Sequence, residues 1–467
     1  MTPYLRIHVP GQTTALSIAE SIAGQLERGR LPDGGRLPPV RVLAHQLGVS
    51  KNTVQAGYDE LAARGLAESL HRRGVFLVKS PERAGQAALI EPSMPQLMPH
   101  RLRPYPGPEL LNLSTVFIDP ELLPVEQLTA CYRAVLAREG LPVGYQAQGY
   151  LPLREAIAER LRQRGIAVET DEVIVTVGSQ QALDVTCRAL AHKSVATENP
   201  AYAIGKRLFE MNQMQVYGLP LDPFDGPDLE VWRRELKKHR PGLLYLTSNF
   251  QNPTGYSYTT SELLELAELS AELGFGIIED DWGSDMLSFS EFRPPLRALA
   301  GPGILYINSF TKKLLPSLRI GYLVAHRSLV PTLVEAKRAA SLGNPLLEEM
   351  ALCEFLQRGY YDTHLRKLQV ELDRRYQNCL ELLDELMPEG CRWGRPGGGP
   401  LVWLELPRSV DFATLEARLG EQGVCLRNDP EHFFGEPHLH GFPIGFAHLA
   451  PERLEQGLRV LAAGLTR

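Results

Sequence analysis

The segment SFTKKLLPSLRIG follows an apolar run and places Lys312 three residues after Ser309 and seven before Arg319. A lysine amine can condense with a carbonyl, and a hydroxyl and a guanidinium flanking it can hold one phosphate, the arginine through its two-pronged geometry. Asp280 closes another apolar run in IIEDDWGSD, the C-terminal edge of a strand, where α/β sheets present groups to ligands. Asn252 in SNFQNPTG can hydrogen-bond a ring oxygen, and Tyr202 in ENPAY can stack on a ring face. Gly178, Ser179 and Gln180, opening a helix, can turn backbone N–H groups toward a phosphate. Singly these are ordinary: Asp280 could be an N-cap, NPTG only a turn, and a lone lysine a solvated surface group. Together and in this order they supply a Schiff-base lysine, an acid facing a pyridine nitrogen and donors for a phosphate, the set that pyridoxal 5'-phosphate (PLP) requires.

A second constellation lies near the N-terminus, in RLPPVRVLAHQLGVSKNTVQAGYDELAARGLAESLHRRGVFLV. Ser50 stands where an N-cap belongs, and Lys51, Asn52, Thr53 and Gln55 after it are polar, as a helix entering the major groove by its N-terminal end requires. Asn52, Thr53 and Gln55 are the candidates for base reading, while Arg36, Arg41, Lys51, His71, Arg72 and Arg73 would neutralise phosphates. Tyr58, Leu61 and Ala62 are expected to form the buried face behind them. The plainer reading is a helix-turn-helix used only as a packing device, with a solvated basic face.

These two sets need different scaffolds, and the periodicity provides both. Apolar spacing predicts helices over 16–28, 40–47 and 51–64, followed by a strand at 75–78, a winged helix-turn-helix (α+β) domain within residues 1–80. Seven prolines between positions 81 and 108 mark an extended linker. Residues 109–467 alternate helical patterns (152–164, 179–191, 260–273) with short apolar runs (173–177, 243–247, 275–279, 304–308, 321–324). That alternation predicts an α/β domain with a mainly parallel sheet, followed by a smaller C-terminal α+β subdomain with a strand at 401–406. The chain is thus multidomain, as 467 residues suggest at roughly 100 to 200 per domain.

Net charge is −6 overall, but residues 1–80 carry 10 Lys and Arg against 6 Asp and Glu, leaving 39 against 49 for the rest. A basic small unit on an acidic body suits a nucleic-acid contact. Six scattered cysteines without a CxxC pair read as free thiols. No apolar run approaches the length of a membrane span and no signal peptide opens the chain, so a cytoplasmic location without membrane contact is expected.

The N-terminal pattern resembles the GntR family, and residues of about 110 to 465 resemble the fold type I aminotransferases; joined in this order they resemble the MocR subfamily of PLP-dependent regulators. The resemblance implies a homodimer in which Tyr145, in VGYQAQGY, reaches the partner's cofactor phosphate, and a double-stranded DNA operator with repeated half-sites. It also implies an amine-bearing effector, sensed by aldimine exchange at Lys312. The alternatives are an aminotransferase with an accessory DNA-binding module and a repressor whose PLP site is vestigial.

Two positions depart from the aminotransferase pattern. Trp282 stands where a tyrosine usually follows the aspartate, and its indole can donate but cannot act as acid or base. Pro443, in FPIGF, replaces the arginine that clamps a substrate carboxylate, which points away from a plain α-amino acid; Arg427 is a candidate substitute. His432, His438 and His440 invite a metal reading, but no cysteine lies near them, and a role in shaping the effector pocket is favoured over a metal.

Overall fold

The computed structural model describes residues 4–9, 13–32, 34–71, 73–78, 110–140, 144–286, 293–426 and 430–466. The chain divides into two compact units, Met1–Met98 and Pro99–Arg467. The expected linker, 81–108, lies outside the described residues.

The first unit is built from helices Ala15–Glu27, Val40–Leu47 and Lys51–Ala63 and an antiparallel hairpin of Ala67–Leu70 with Gly74–Leu77. Gly48 ends the second helix in the left-handed region, φ 68°, which a glycine adopts without a Cβ clash. Ser50 then caps the third helix, its hydroxyl accepting from the Thr53 amide at 3.1 Å. Ile18, Ile22, Leu43, Val54, Tyr58 and Leu61 meet in the core. Ala62, expected to be buried, is exposed, because one further residue turns it about 100° away from the face that Leu61 presents.

The second unit is organised on an eight-stranded sheet in the order Val173–Thr176, Gly321–Val324, Leu305–Ser309, Gly276–Asp280, Leu243–Leu246, Ser194–Asn199, Gln215–Asp222, Gly226–Pro227. Only Gly321–Val324 and the short edge strand Gly226–Pro227 run against the others. Alternate residues serve opposite faces. Val173 and Val175 join one apolar cluster, with helices Leu151–Gln163 and Leu346–Gln357, while Ile174 joins another, with helices Gly178–Ala189 and Val330–Ser341. Helices therefore cover both faces.

A smaller α+β portion follows. Helices Tyr360–Leu386 and Pro451–Leu465 pack on an antiparallel sheet of Arg392–Trp393, Leu401–Glu405 and Gly441–Gly445 around a separate core. Leu111–Asn112 pairs with Val424–Cys425, so the beginning of this unit is stitched to its C-terminal portion. All six cysteines are free thiols. Among the described residues no helix is long and apolar enough to cross a membrane.

Candidate functional site

Parallel strands deliver their C-terminal ends to one edge of the sheet, and the candidate residues lie there. Asp280 ends its strand and Ser309 ends the next; Ser179 and Gln180 lie in the first turn of the helix that follows Val173–Thr176. These four line a single cavity with Tyr202, Asn252, Trp282, Lys312 and Arg319. Gly178 sits beneath Arg319, where a Cβ would lie 2.9 Å from a guanidinium nitrogen. Three further lining residues, Tyr245, Thr247 and Thr311, were not anticipated from the sequence.

Lys312 Nζ lies 4.6 Å from the Trp282 ring centre and 5.7 Å from that of Phe117. Burial lowers its pKa to about 8; the Asp280 carboxylate opposes that shift, and the Arg319 cation adds to it. An amine so placed loses its proton more readily than a surface lysine. Burial raises the Asp280 carboxyl to about 6, although the Tyr245 hydroxyl, donating to Oδ2 at 2.9 Å, favours the ionised form. The other oxygen, Oδ1, is buried without a hydrogen-bond partner, as is the Thr311 hydroxyl. The Ser309 hydroxyl donates to the Ile320 carbonyl at 3.2 Å and accepts from the Thr311 amide at 3.1 Å. Arg319 donates to the Val177 carbonyl at 3.2 Å. An orphaned carboxylate oxygen suits a protonated ring nitrogen, and an orphaned hydroxyl in a cavity that a guanidinium also lines suits a phosphate, so the donor set fits PLP.

Pro443 lies on an edge strand opposite Trp403, where a missing N–H is tolerated, and it lines the outer part of the cavity. Arg427 lies outside the described residues. Tyr145 is 79% exposed in the single chain. The three histidines are used separately. His432 Nδ1 meets the Ala201 carbonyl at 2.7 Å, His438 lies edge-on to Phe433, and His440 Nε2 meets the Val410 carbonyl at 2.9 Å. Among the described residues no group of three or more potential ligands could hold a metal ion.

In the first unit, Lys51, Asn52 and Gln55 are exposed on the opening turns of the third helix, and Arg41, His71 and Arg73 are exposed as well. Thr53 is half-buried, and Arg72 lies outside the described residues. Gln55 donates to Asp59 at 2.8 Å. Arg36 is half-buried, with its guanidinium 5.0 Å from the Tyr4 ring centre and 5.9 Å from that of Phe76.

Comparison with known families matches residues 126–460 to aminotransferase class I and II. The chain belongs to that family. Residues 14–77 match the gntR family of bacterial regulatory proteins. The 2-aminoadipate transaminase of Thermus thermophilus is 32% identical over 77% of this chain and 90% of its own length. The probable rhizopine catabolism regulatory protein MocR of Rhizobium meliloti is 27% identical over 95% of this chain and 92% of its own. A crystal structure of the Thermus thermophilus α-aminoadipate aminotransferase LysN, complexed with N-(5'-phosphopyridoxyl)-L-leucine, is 31% identical. It covers 77% of this chain and 92% of its own, with a TM-score of 0.71. Relatives that align along 95% of this chain include uncharacterized HTH-type transcriptional regulators of Bacillus subtilis and Escherichia coli, each 26% identical. The chain thus joins a gntR-type DNA-binding domain to a PLP-dependent aminotransferase-family domain, the arrangement of a MocR-type regulator.

Proposed function

We propose that this regulator binds operator DNA through the helix Lys51–Ala63 and its hairpin, and senses an amine-bearing effector at Lys312. Asp280 would face the ring nitrogen of PLP, Asn252 and Trp282 its ring oxygen, Tyr202 its face, and Ser179, Gln180, Ser309, Thr311 and Arg319 its phosphate. The cofactor, when bound, supplies an electrophilic carbon that an amine can occupy. Lys312 would be the residue that holds the cofactor at that carbon, and burial, which lowers its pKa to about 8, favours the neutral amine that such a bond requires. With an effector amine in its place, the freed side chain and the altered cavity would favour one arrangement of a homodimer over another. The largely exposed Tyr145 would reach the partner's phosphate in that dimer. The protein acts in the cytoplasm, where its DNA lies.

The observation that carries this reading is one cavity that gathers Lys312, Asp280, Ser309 and Arg319, with Pro443 lining its outer part, in a chain that also has a helix opening on exposed Lys51, Asn52 and Gln55. A ligand shifts DNA binding only by binding two states unequally, and a coupling of about 1–3 kcal/mol changes operator affinity roughly 5- to 150-fold. The test is to titrate amines into the PLP-loaded protein while following its visible absorbance and its affinity for its own upstream DNA. Parallel changes are expected. A second reading, an aminotransferase with an accessory DNA-binding module, is favoured by the gathering of these side chains in one cavity and by the transaminase relative. Sustained conversion of an amino acid and a keto acid, with DNA affinity constant throughout, would establish it instead.

A further inference from the structure

Tyr145, largely exposed, stands near one end of an irregular loop, 144–150, that is pinned at successive residues. Gly343 passes so close that a Cβ on it would lie 3.3 Å from the Gln146 amide nitrogen and carbonyl oxygen. The Ala147 carbonyl accepts from Lys337 Nζ at 2.6 Å, and the Tyr150 amide donates to Glu349 Oε2 at 2.5 Å. Between these two anchors, the Gln148 side chain donates to the Asp171 and Val173 carbonyls at 2.8 and 3.1 Å. Gly149 lies against Val175, where a Cβ would stand 2.5 Å from that side chain.

Lys337 and Glu349 come from different helices, Val330–Ser341 and Leu346–Gln357, and both are buried. Taking charges out of water is costly, and apolar side chains of similar size often stabilise a core as well as a buried ion pair does. What the two charged groups add is a donor and an acceptor at fixed points, and both are directed at the backbone of one loop. Neither is among the described residues that line the cavity around Lys312 in its own chain. A loop ordered in advance lowers the entropic cost of docking the side chain it carries.

Granted the reading above that Tyr145 reaches the partner's phosphate, we propose that Lys337 and Glu349 are positioning residues that act across the dimer. They hold the loop 144–150 so that Tyr145 meets the phosphate bound by the neighbouring protomer.

Mixed dimers of the full chain, loaded with PLP and purified through two different tags, separate this role from ordinary packing. Lys312→Ala in one protomer confines the visible absorbance to the other, whose loss of cofactor during dialysis is then followed. In the first arrangement the Lys312→Ala protomer also carries Lys337→Met, so the intact cofactor site faces an altered loop. In the second, Lys337→Met sits on the protomer that keeps Lys312, and the cofactor site faces an unaltered loop. Cofactor loss is expected to be at least about 10-fold faster in the first arrangement, the scale of a misplaced hydrogen bond to a charged group. Tyr145→Phe and Glu349→Gln, placed in the same two ways, should follow the same order, and Glu349→Gln decides the matter where Lys337→Met does not fold. Equal rates in both arrangements for Lys337→Met and Glu349→Gln, with Tyr145→Phe still faster in the first, would overturn the proposal and leave the reading of Tyr145 standing. Should Tyr145→Phe show no difference, or the PLP-loaded chain run as a monomer, that reading falls and this inference with it.

Discussion

Lys312 and Lys313 are neighbours in sequence with opposite surroundings. Lys312 Nζ stands 4.6 Å from the Trp282 ring centre in the cofactor cavity, whereas Lys313 donates to Asp285 Oδ2 at 2.8 Å and Asn308 Oδ1 at 2.7 Å beneath it. Arg164 also reaches Asp285, at 2.9 Å, and Asp281, at 3.3 Å, so Lys313 belongs to a buried ion network. The Lys313 carbonyl meets His364 Nε2 at 2.6 Å, which ties this loop to the helix Tyr360–Leu386.

The two lysines should therefore fail differently. Lys312→Ala should lose the visible absorbance of the PLP-loaded protein and keep its melting temperature. Lys313→Met should keep the absorbance and melt lower; removing one partner of a buried pair costs up to about 3–5 kcal/mol, and Arg164 remains to hold Asp285, so a loss near 3 kcal/mol is expected. The reverse pattern in the two variants would move the cofactor to Lys313.

Much of this was legible because the chemistry-bearing residues stand at the ends of apolar runs. Asp280, Ser309 and Lys312 fall on one sheet edge from the sequence alone, since periodicity marks strands and parallel strands end together. Tyr245 was not legible. It sits within LLYL, where a tyrosine reads as core, and only the register opposite Ile278 puts it on the face that Asp280 shares two residues later. Thr311 lay within the lysine motif, but its orphaned hydroxyl is a property of packing. Ala62 was misplaced because helical spacing names a face without fixing its width.

Asp280 opposes the effect of burial on Lys312. Burial lowers the lysine pKa to about 8 against the opposing pull of that carboxylate. Capture of PLP by the apoprotein needs the neutral amine, so its rate should rise with pH to a midpoint near 8. Asp280→Asn removes the opposing pull and should move the midpoint below 8, while weakening retention of the cofactor. A midpoint at the ordinary lysine value in both proteins would show that the amine is not desolvated.

Glu198 links pH to stability. Its Oε1 accepts from the Thr247 amide at 2.7 Å and the Tyr258 hydroxyl at 3.3 Å, and burial raises its carboxyl from 4.5 to about 8. The folded chain keeps a proton that the unfolded chain releases above pH 4.5, so this contribution is complete below 4.5 and declines as pH rises through 8. Glu198→Gln carries no charge to bury; the expected outcome is a flatter dependence of melting temperature on pH between 5 and 8 than in the wild type.

On the DNA side, position on the third helix separates the roles. Lys51→Ala should weaken binding to specific and random duplexes alike and reduce the salt slope by about one. Asn52→Ala should cost about 1–3 kcal/mol at particular base pairs. Gln55 must give up its hydrogen bond to Asp59 to read a base, so Gln55→Ala should cost less than Asn52→Ala. Competition binding against single-base operator variants measures all three, and equal losses on every duplex would contradict base reading by these side chains.

Gly178 makes the last prediction, because it shows how backbone shape positions the phosphate end. It opens the helix Gly178–Ala189 at φ +74°, where a side chain is strained, and a Cβ there would stand 2.9 Å from Arg319. Arg319 is itself held at φ +50°, so its backbone has little freedom to follow a displaced guanidinium. In Gly178→Ala the added methyl should push the guanidinium away from the helix opening, where it would meet the phosphate together with Ser179. The expected result is PLP retention weakened at least about 10-fold, with the first unit's DNA binding preserved. The backbone strain should cost about 1 kcal/mol in melting experiments. Arg319→Lys separates the two contributions: it keeps the charge, loses the two-pronged geometry and relieves the crowding against Gly178. If Gly178→Ala lowered stability yet left cofactor retention unchanged, the glycine would serve the turn alone and the phosphate would depend on Arg319 from another approach.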